Sequence, residues 1–162
     1  MATPAYIASL QRDLAYSFSN MRNLVEALRA PGAGFDTHFN IQGVDGYRRL
    51  SQLGESLLRM IIIDEGYTRG DQRATVDSHL QSLPARALLC GNQMNLGDCI
   101  SMNPSQQGTA PSPKMITQST IALFAAIYVD SGRDIAQLKA ILSHVGLLDD
   151  GAHANADMAD SP

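Results

Sequence analysis

The sequence predicts an all-α domain, and two patterns carry that prediction. Apolar residues recur three and four positions apart in successive segments, which is the spacing that places side chains on one face of a helix. Glycine, proline and asparagine separate these segments, as they do where helices begin and end. A length of 162 residues suits one domain with one hydrophobic core. We expect that domain to span residues 1–148.

The first half of the chain predicts three helices, over residues 4–14, 21–28 and 47–65. The third has the strongest pattern, because its apolar positions form a stripe wide enough to be buried. Gly54 lies in the middle of this helix, and a glycine there indicates close approach of another backbone. Gly66 is expected to end the helix. The stripe consists of Leu50, Leu53, Leu57, Leu58, Ile61 and Ile62.

The next segment predicts two shorter helices, over residues 71–79 and 83–90. They are separated because Pro84 suits the first turn of a helix and not its interior. Residues 91–97 include two glycines and are predicted to form a turn.

The last third of the chain predicts a loop, two helices and a tail. Residues 102–113 are polar, contain three prolines and are expected to form a mobile loop. Helices are predicted over residues 114–129 and 134–145, with Asp130 capping the turn between them. Residues 149–162 are small and acidic, and we expect them to be disordered.

The charge balance argues against a broad nucleic-acid-binding surface. The chain has 12 basic and 16 acidic residues, a net charge of −4, and four of the acids lie in the predicted tail. Proteins that bind duplex RNA or DNA present a basic excess that this chain lacks. The expectation of nucleic-acid binding is therefore weak, although a local basic patch is compatible with the composition.

The composition also bears on cofactors and compartment. Neither the two cysteines, Cys90 and Cys99, nor the four scattered histidines form a metal-ligand set, so we expect no metal and no other cofactor. The thiols suit a reducing compartment. No run of roughly 20 apolar residues is present and the N-terminus lacks a signal-peptide pattern, so we expect no membrane span. The expected location is the cytoplasm, with mitochondria as the alternative.

Four stretches, in order, carry a family resemblance. Residues 10–31 contain YSFS and NLVEALRAP, similar to GYxF and LLxEALTHxS, and residues 65–90 match a weaker middle region. Residues 47–58, YRRLSQLGESLL, are similar to NERLEFLGDSVL, and residues 121–132, IALFAAIYVDSG, are similar to EALIGAIYLDSG. The sequence thus resembles the ribonuclease III endonuclease domain. The resemblance implies a ribonuclease III-type helical domain. It also implies a homodimer that forms through the helix containing residues 47–58.

The resemblance also implies a magnesium site that this chain has lost. Family members cut duplex RNA with Mg²⁺ held by four acidic side chains, two on each of two helices. The corresponding residues here are Ser51, Glu55, Gln118 and Ile121, so one carboxylate remains. Mg²⁺ is a hard ion that requires oxygen ligands. We therefore expect a protein that is catalytically inactive as a nuclease, a pseudoenzyme.

Two further departures from the family pattern lie in residues 47–58, the stretch similar to NERLEFLGDSVL. Arg48, beside Arg49, replaces the first acid of the motif, and it either faces solvent or contacts an anion near the old active site. Gln52 replaces the aromatic residue that packs into the partner subunit in the family, which puts the usual dimer contact in question. We expect no double-stranded-RNA-binding domain after residue 162.

Three functions are compatible with these residues. The first is a non-catalytic protein that acts as a homodimer or with a protein or ribonucleoprotein partner. The alternative is a small-molecule enzyme of dehydratase, isomerase or cyclase type in the former metal valley, with Glu55 transferring the proton. The third, residual RNA cleavage with another set of acids, has little support in the sequence. The candidate pocket residues are Glu55, Ser51, Gln118 and Arg48.

Overall fold

A computed structural model describes residues 3–41 and 44–149 of the chain. Within those ranges the protein forms six α-helices and two short 3₁₀ helices, with no β-strand, which confirms the all-α prediction. Of the predicted tail, all but Asp149 lies outside the described residues. The helices are α1 (Pro4–Leu14), α2 (Met21–Ala27), α3 (Arg48–Arg69), α4 (Arg73–Gln93), α5 (Pro113–Asp130) and α6 (Ile135–His144), and the 3₁₀ helices are Leu96–Cys99 and Pro104–Gln106.

Side-chain caps fix where several of the helices begin. Asn20 accepts a hydrogen bond from the Arg22 amide at 3.1 Å before α2. Ser112 and Asp134 accept hydrogen bonds from main-chain amides of α5 and α6, at 3.3 and 3.0 Å. Each cap satisfies one of the N–H groups that the first turn of a helix leaves unpaired.

The hydrophobic core is centred on α5, which is buried from Ser119 to Ile127 and packs against α2, α3 and α4. A glycine on α3 allows one of these contacts. A Cβ atom on Gly54 would lie 2.8 Å from Cγ2 of Ile121, closer than real side chains approach. The close approach predicted at Gly54 is therefore confirmed, and its partner is α5.

The predicted end of α3 at Gly66 is wrong. The helix continues to Arg69 and ends at Gly70, whose φ of 78° is the left-handed conformation that favours glycine. Gly66 instead makes room for α4, because a Cβ there would lie 2.6 Å from Cγ2 of Val76. A glycine that serves packing and a glycine that ends a helix look alike in a sequence.

The two short helices predicted around Pro84 are one continuous helix, α4. An interior proline removes a main-chain hydrogen bond and crowds the preceding turn. Leu83 and Ala87 flank it and are buried in the core, so tertiary packing outweighs that cost. Gly91 belongs to the same helix, and the left-handed residue that follows α4 is Asn95, with φ 51°.

The other helix predictions agree with α1, α2, α5 and α6 to within one residue at each end. Residues 102–113 contain the 3₁₀ helix Pro104–Gln106 and otherwise irregular backbone. The mobility expected of this segment stays a prediction.

Candidate functional site

Two of the four residues that the family resemblance aligns with metal ligands, Ser51 on α3 and Ile121 on α5, lie in the closed contact between these helices. Each is only 3% exposed. The backbone of Gly54, close to Ser51 along α3, packs directly against Ile121. Neither Ser51 nor Ile121 therefore offers its side chain to an open valley.

A cleft opens at the N-terminal ends of the same two helices. It has a volume of about 300 Å³ and brings together Arg48 of α3 and Gln118 of α5, two of the four predicted pocket residues. Lys114, four residues before Gln118 on α5, also lines the cleft and was not predicted. The remaining lining residues are Ala30, Pro31, Tyr47, Gln106 and Met115.

The α3 wall of this cleft is fixed against the end of α2. The Tyr47 amide donates a hydrogen bond to the Arg29 carbonyl at 2.8 Å. Gly46 has a φ of 51°, and a Cβ there would lie 2.7 Å from the carbonyl carbon of Ala30, so only glycine fits. Burial raises the pKa of the Tyr47 phenol, and the nearby charge of Arg48 opposes that rise only in part. The phenol is therefore neutral at physiological pH.

Glu55, the remaining carboxylate, is separate from the cleft. It is exposed on α3, seven residues after Arg48, and it is not among the residues that line the cleft. The four predicted pocket residues thus divide into three environments. Arg48 and Gln118 share the cleft, Ser51 is buried, and Glu55 is on the surface.

The four residues that the resemblance aligns with metal ligands do not fit Mg²⁺. They supply one exposed carboxylate, one buried hydroxyl, one amide and one buried aliphatic side chain. In the ranges that the structure describes, no group of three or more His, Cys, Asp or Glu side chains could hold a metal ion. The neighbouring cleft presents two positive charges, which repel a divalent cation.

Asp130, at the end of α5, has a role that differs from its prediction. It does not cap the turn before α6; its carboxylate instead holds the link between α1 and α2. Burial alone would raise the pKa of Asp130, but the hydrogen bonds it accepts lower that pKa below its ordinary value. The four bonds measure 2.7–3.1 Å and come from the Tyr16 hydroxyl, the Ser19 and Asn20 amides and Asn23 Nδ2.

The outer face of α3 leaves apolar side chains in solvent. Met60, Ile63 and Tyr67 follow one another at helical spacing, and Tyr67 is 85% exposed. They line a shallow groove whose other lining residues are Ser56, Arg59 and Asp64. This apolar strip is a candidate contact surface for another protein.

The cysteines offer no reactive site. Cys90 and Cys99 are both buried, and burial raises the pKa of each thiol to about 11. Both thiols are therefore protonated at neutral pH and are poor nucleophiles.

Membrane spans are absent from the part of the chain that the structure describes. None of the helices in those ranges combines the length and the apolar character that a membrane crossing requires.

Comparison with known proteins places the chain in a family. Ribonuclease 3 of Rickettsia felis is 31% identical over 132 residues, which are 75% of this chain and 56% of that relative. Ribonuclease 3 of Rickettsia bellii is 32% identical over 143 residues, or 82% of this chain and 60% of the relative. The chain belongs to the ribonuclease III family. It spans a little over half the length of these curated relatives, and no protein-family model matches it.

The fold agrees with this membership. The nuclease domain of ribonuclease III from Campylobacter jejuni superposes with a TM-score of 0.70 at 22% sequence identity, covering 86% of this chain and 94% of that domain. A crystal structure of the same domain gives a TM-score of 0.65. At this identity the similarity shows the fold alone, and it confirms the predicted ribonuclease III-type helical domain.

Proposed function

We propose that this ribonuclease III-type domain does not cleave RNA and acts by interaction, as a homodimer. The observation that carries the proposal is the state of the four positions at which the family binds Mg²⁺. One holds an exposed carboxylate, Glu55, and two are closed into the contact between α3 and α5. Without the metal, nothing at these positions lowers the pKa of an attacking water or neutralises the charge that develops on the phosphate.

The outer face of α3 supports a second copy of the chain as the partner. The apolar strip of Met60, Ile63 and Tyr67 is exposed, and it lies on the helix through which family members are expected to pair. The nuclease domain from Campylobacter jejuni has a structurally flexible region that is involved in dimer formation. Gln52 is exposed on α3 as well, so a polar residue stands where the family places an aromatic one.

The alternative, a small-molecule enzyme with Glu55 as its proton-transfer group, has less support. The cleft that holds Arg48 and Gln118 is lined, in the described part of the chain, by no carboxylate, histidine or thiol. General acid–base catalysis most often uses a histidine or a carboxylate within hydrogen-bond reach of the substrate, and Glu55 is the proton-transfer group that this alternative names. Glu55 lies outside the cleft, so it does not meet that requirement for a substrate bound there.

Incubation of the full chain with duplex RNA and Mg²⁺ tests the catalytic half of the proposal. We expect the RNA to remain intact under conditions in which an active ribonuclease III digests it completely. A Glu55→Gln variant serves as the matched control. Mg²⁺-dependent cleavage by the wild type that this variant loses would show that Glu55 still supports nuclease chemistry, and the proposal would be wrong.

Sedimentation of the wild type and of a Met60→Asp/Ile63→Asp variant tests the dimer. Two buried charges in an apolar interface are strongly unfavourable, so we expect the variant to be monomeric at concentrations where the wild type is dimeric. Leu89→Asp is the control, since Leu89 is an exposed apolar residue on α4 and not on α3. A wild type that is monomeric at all concentrations, or a dimer that tolerates the α3 substitutions, contradicts the dimer.

A further inference from the structure

A second, half-enclosed pocket is formed by α1, α2 and the segment that follows α2. Its volume is about 470 Å³, and it shares no lining residue with the cleft of Arg48 and Gln118. Small-molecule sites in proteins are mostly apolar pockets of roughly 300–1,000 Å³ in which a few polar groups fix the ligand. The size of this pocket and the character of its walls agree with that description. The apolar walls are formed by Ile7, Val25, Leu28, Ala33, Phe35 and Phe39.

Arg29 places a buried guanidinium in the wall of this pocket, where the residue is 5% exposed. An arginine side chain has five N–H donors. Nη1 donates to Oδ2 of Asp36 at 3.2 Å, and Nη2 donates to the Ala33 and Gly34 carbonyls at 3.1 and 2.6 Å.

The Nε atom of Arg29 has no acceptor. Within the described ranges it is the one buried side-chain nitrogen or oxygen that lacks a hydrogen-bond partner. Buried polar atoms are nearly always paired, and a charged donor left unpaired is especially unfavourable. The exception at Nε therefore points to an acceptor that the described part of the chain does not supply.

The turn after α2 holds the polar end of the pocket in place. The Asp36 amide donates to the Ile41 carbonyl at 3.0 Å, and the Ile41 amide donates to the Asp36 carbonyl at 3.1 Å. Oδ1 of Asp36 accepts hydrogen bonds from the His38 and Phe39 amides, both at 3.0 Å. One carboxylate thus fixes both the guanidinium of Arg29 and the turn that carries Phe39, so the site is preorganised.

The pairing of Arg29 with Asp36 sets the charge of the ligand. An anion would be attracted by the guanidinium and repelled by the carboxylate 3.2 Å away, and a cation would experience the reverse. No further Lys, Arg, Asp or Glu lines the pocket in the part of the chain that the structure describes. A molecule without net charge therefore fits best, and a carbonyl oxygen is an uncharged acceptor that an arginine N–H can use.

We propose that this pocket binds a neutral, mainly apolar small molecule whose carbonyl oxygen accepts a hydrogen bond from Arg29. The apolar body of the ligand lies against Val25, Leu28 and Phe39, where it is removed from water. Because Nε is buried, the oxygen reaches it with a small adjustment of residues 33–36, whose oxygens hold the same guanidinium. The site is separate from the residues aligned with metal ligands, so the proposal does not depend on whether the domain cleaves RNA.

Fluorescence titration of the full chain with prodan tests the pocket. Prodan is an uncharged naphthalene that carries a ketone, and its emission moves to shorter wavelength when it leaves water, so we expect a saturable shift. Val25→Trp should abolish the shift at concentrations that half-saturate the wild type, because the indole fills the pocket from a half-buried position of its wall. Val129→Trp is the matched control, since Val129 is a partly exposed helical valine that does not line the pocket, and it should leave the affinity unchanged.

Arg29→Lys tests the hydrogen bond. Lysine keeps the positive charge but lacks the planar set of N–H donors, so we expect prodan to bind the variant about tenfold more weakly. The analogue of prodan with a methylene in place of the ketone should bind the wild type and the variant equally. If Arg29→Lys does not fold, the contrast between Val25→Trp and Val129→Trp still tests the pocket.

Several outcomes would overturn the proposal. Prodan might bind without saturation, bind Val25→Trp as tightly as the wild type, or bind Arg29→Lys without any loss of affinity. The Met60→Asp/Ile63→Asp variant guards against binding to the apolar strip on α3, and we expect it to bind prodan as the wild type does. Loss of binding in that variant, with binding retained in Val25→Trp, would place the probe on the strip and make the pocket wrong.

Discussion

The charged side chains at the two ends of α5 differ in whether the protein supplies partners for them. At the C-terminal end, Asp130 is surrounded by donors of the protein itself and accepts four hydrogen bonds. At the N-terminal end, Lys114 faces Arg48 across an open cleft, and neither pairs with an acid in the described ranges. Both charges are unfavourable for the helix dipole, because an acid stands at the negative end and a base at the positive end.

The difference shows which of these charges the fold itself compensates. The cost of placing Asp130 at the negative end is offset by hydrogen bonds that join α5 to the link between α1 and α2. Among the described residues, no ion pair offsets the cost of Lys114 and Arg48. The middle of the helix separates the two ends, and there α5 is buried against α3 at Gly54 and Ile121.

The largest effect is expected in the middle of α5, from Ile121→Glu. This substitution places a carboxylate at a position that the resemblance aligns with a metal ligand, where the side chain is 3% exposed. An unpaired buried charge costs about 3–5 kcal/mol, so we expect the free energy of unfolding in urea to fall by that amount.

Val129→Glu is the control for this prediction, since Val129 is on the same helix but is partly exposed. The free energy of unfolding of this variant should fall by less than about 1 kcal/mol, as it does for surface substitutions. A loss of equal size in both variants, or a stable Ile121→Glu protein, would mean that the contact between α3 and α5 is open in solution.

A smaller effect is expected at the C-terminal end, from Asp130→Asn. The amide would place a donor beside the Tyr16 hydroxyl and the main-chain amides, which are donors themselves. We therefore expect the free energy of unfolding to fall by about 1–3 kcal/mol at pH 7. The pKa of Asp130 is lowered in the folded state, so its contribution is present above the ordinary value of 3.8 and is lost as the pH falls through the folded-state pKa. The loss caused by the substitution should therefore shrink in acid.

Urea unfolding of Asp130→Asn at several pH values checks this prediction. Asp134→Asn is the matched control, because asparagine caps a helix as well as aspartate does and Asp134 makes one such bond to α6. We expect this control to change stability by about a few tenths of a kcal/mol. Equal losses in the two variants would show that the network around Asp130 adds no more than an ordinary cap.

The sequence predicts most of the helices of this fold, because amphipathic spacing is a local property. The predicted helix start at Pro84 and helix end at Gly66 are wrong. Both residues lie inside helices, where packing against other parts of the fold accommodates them. Asp130 is misassigned for the same reason, because its donors precede it by more than 100 residues.

The candidate site is predicted in part. The resemblance selects Arg48 and Gln118, which the structure brings into one cleft, and it also selects Glu55, which lies apart. Lys114 corresponds to none of the four family ligand positions, but its spacing from Gln118 could have identified it. It precedes Gln118 by four residues, so both side chains lie on the same face of α5. The sequence does not show that the chain just after α2 lies beside these two side chains and forms another wall of the cleft.

The smallest effect on stability is expected at the N-terminal end of α5, from Lys114→Ala. Lys114 has no ion-pair partner among the described residues, and alanine is a better helix former without a charge that opposes the dipole. We expect the free energy of unfolding to change by less than about 0.5 kcal/mol, in the stabilising direction. Urea unfolding in phosphate-free buffer measures it, with Lys139→Ala as the control that removes contacts to Asp64 and Glu65. A loss above about 1 kcal/mol for Lys114→Ala would make it a structural cation and remove the contrast between the two ends of α5.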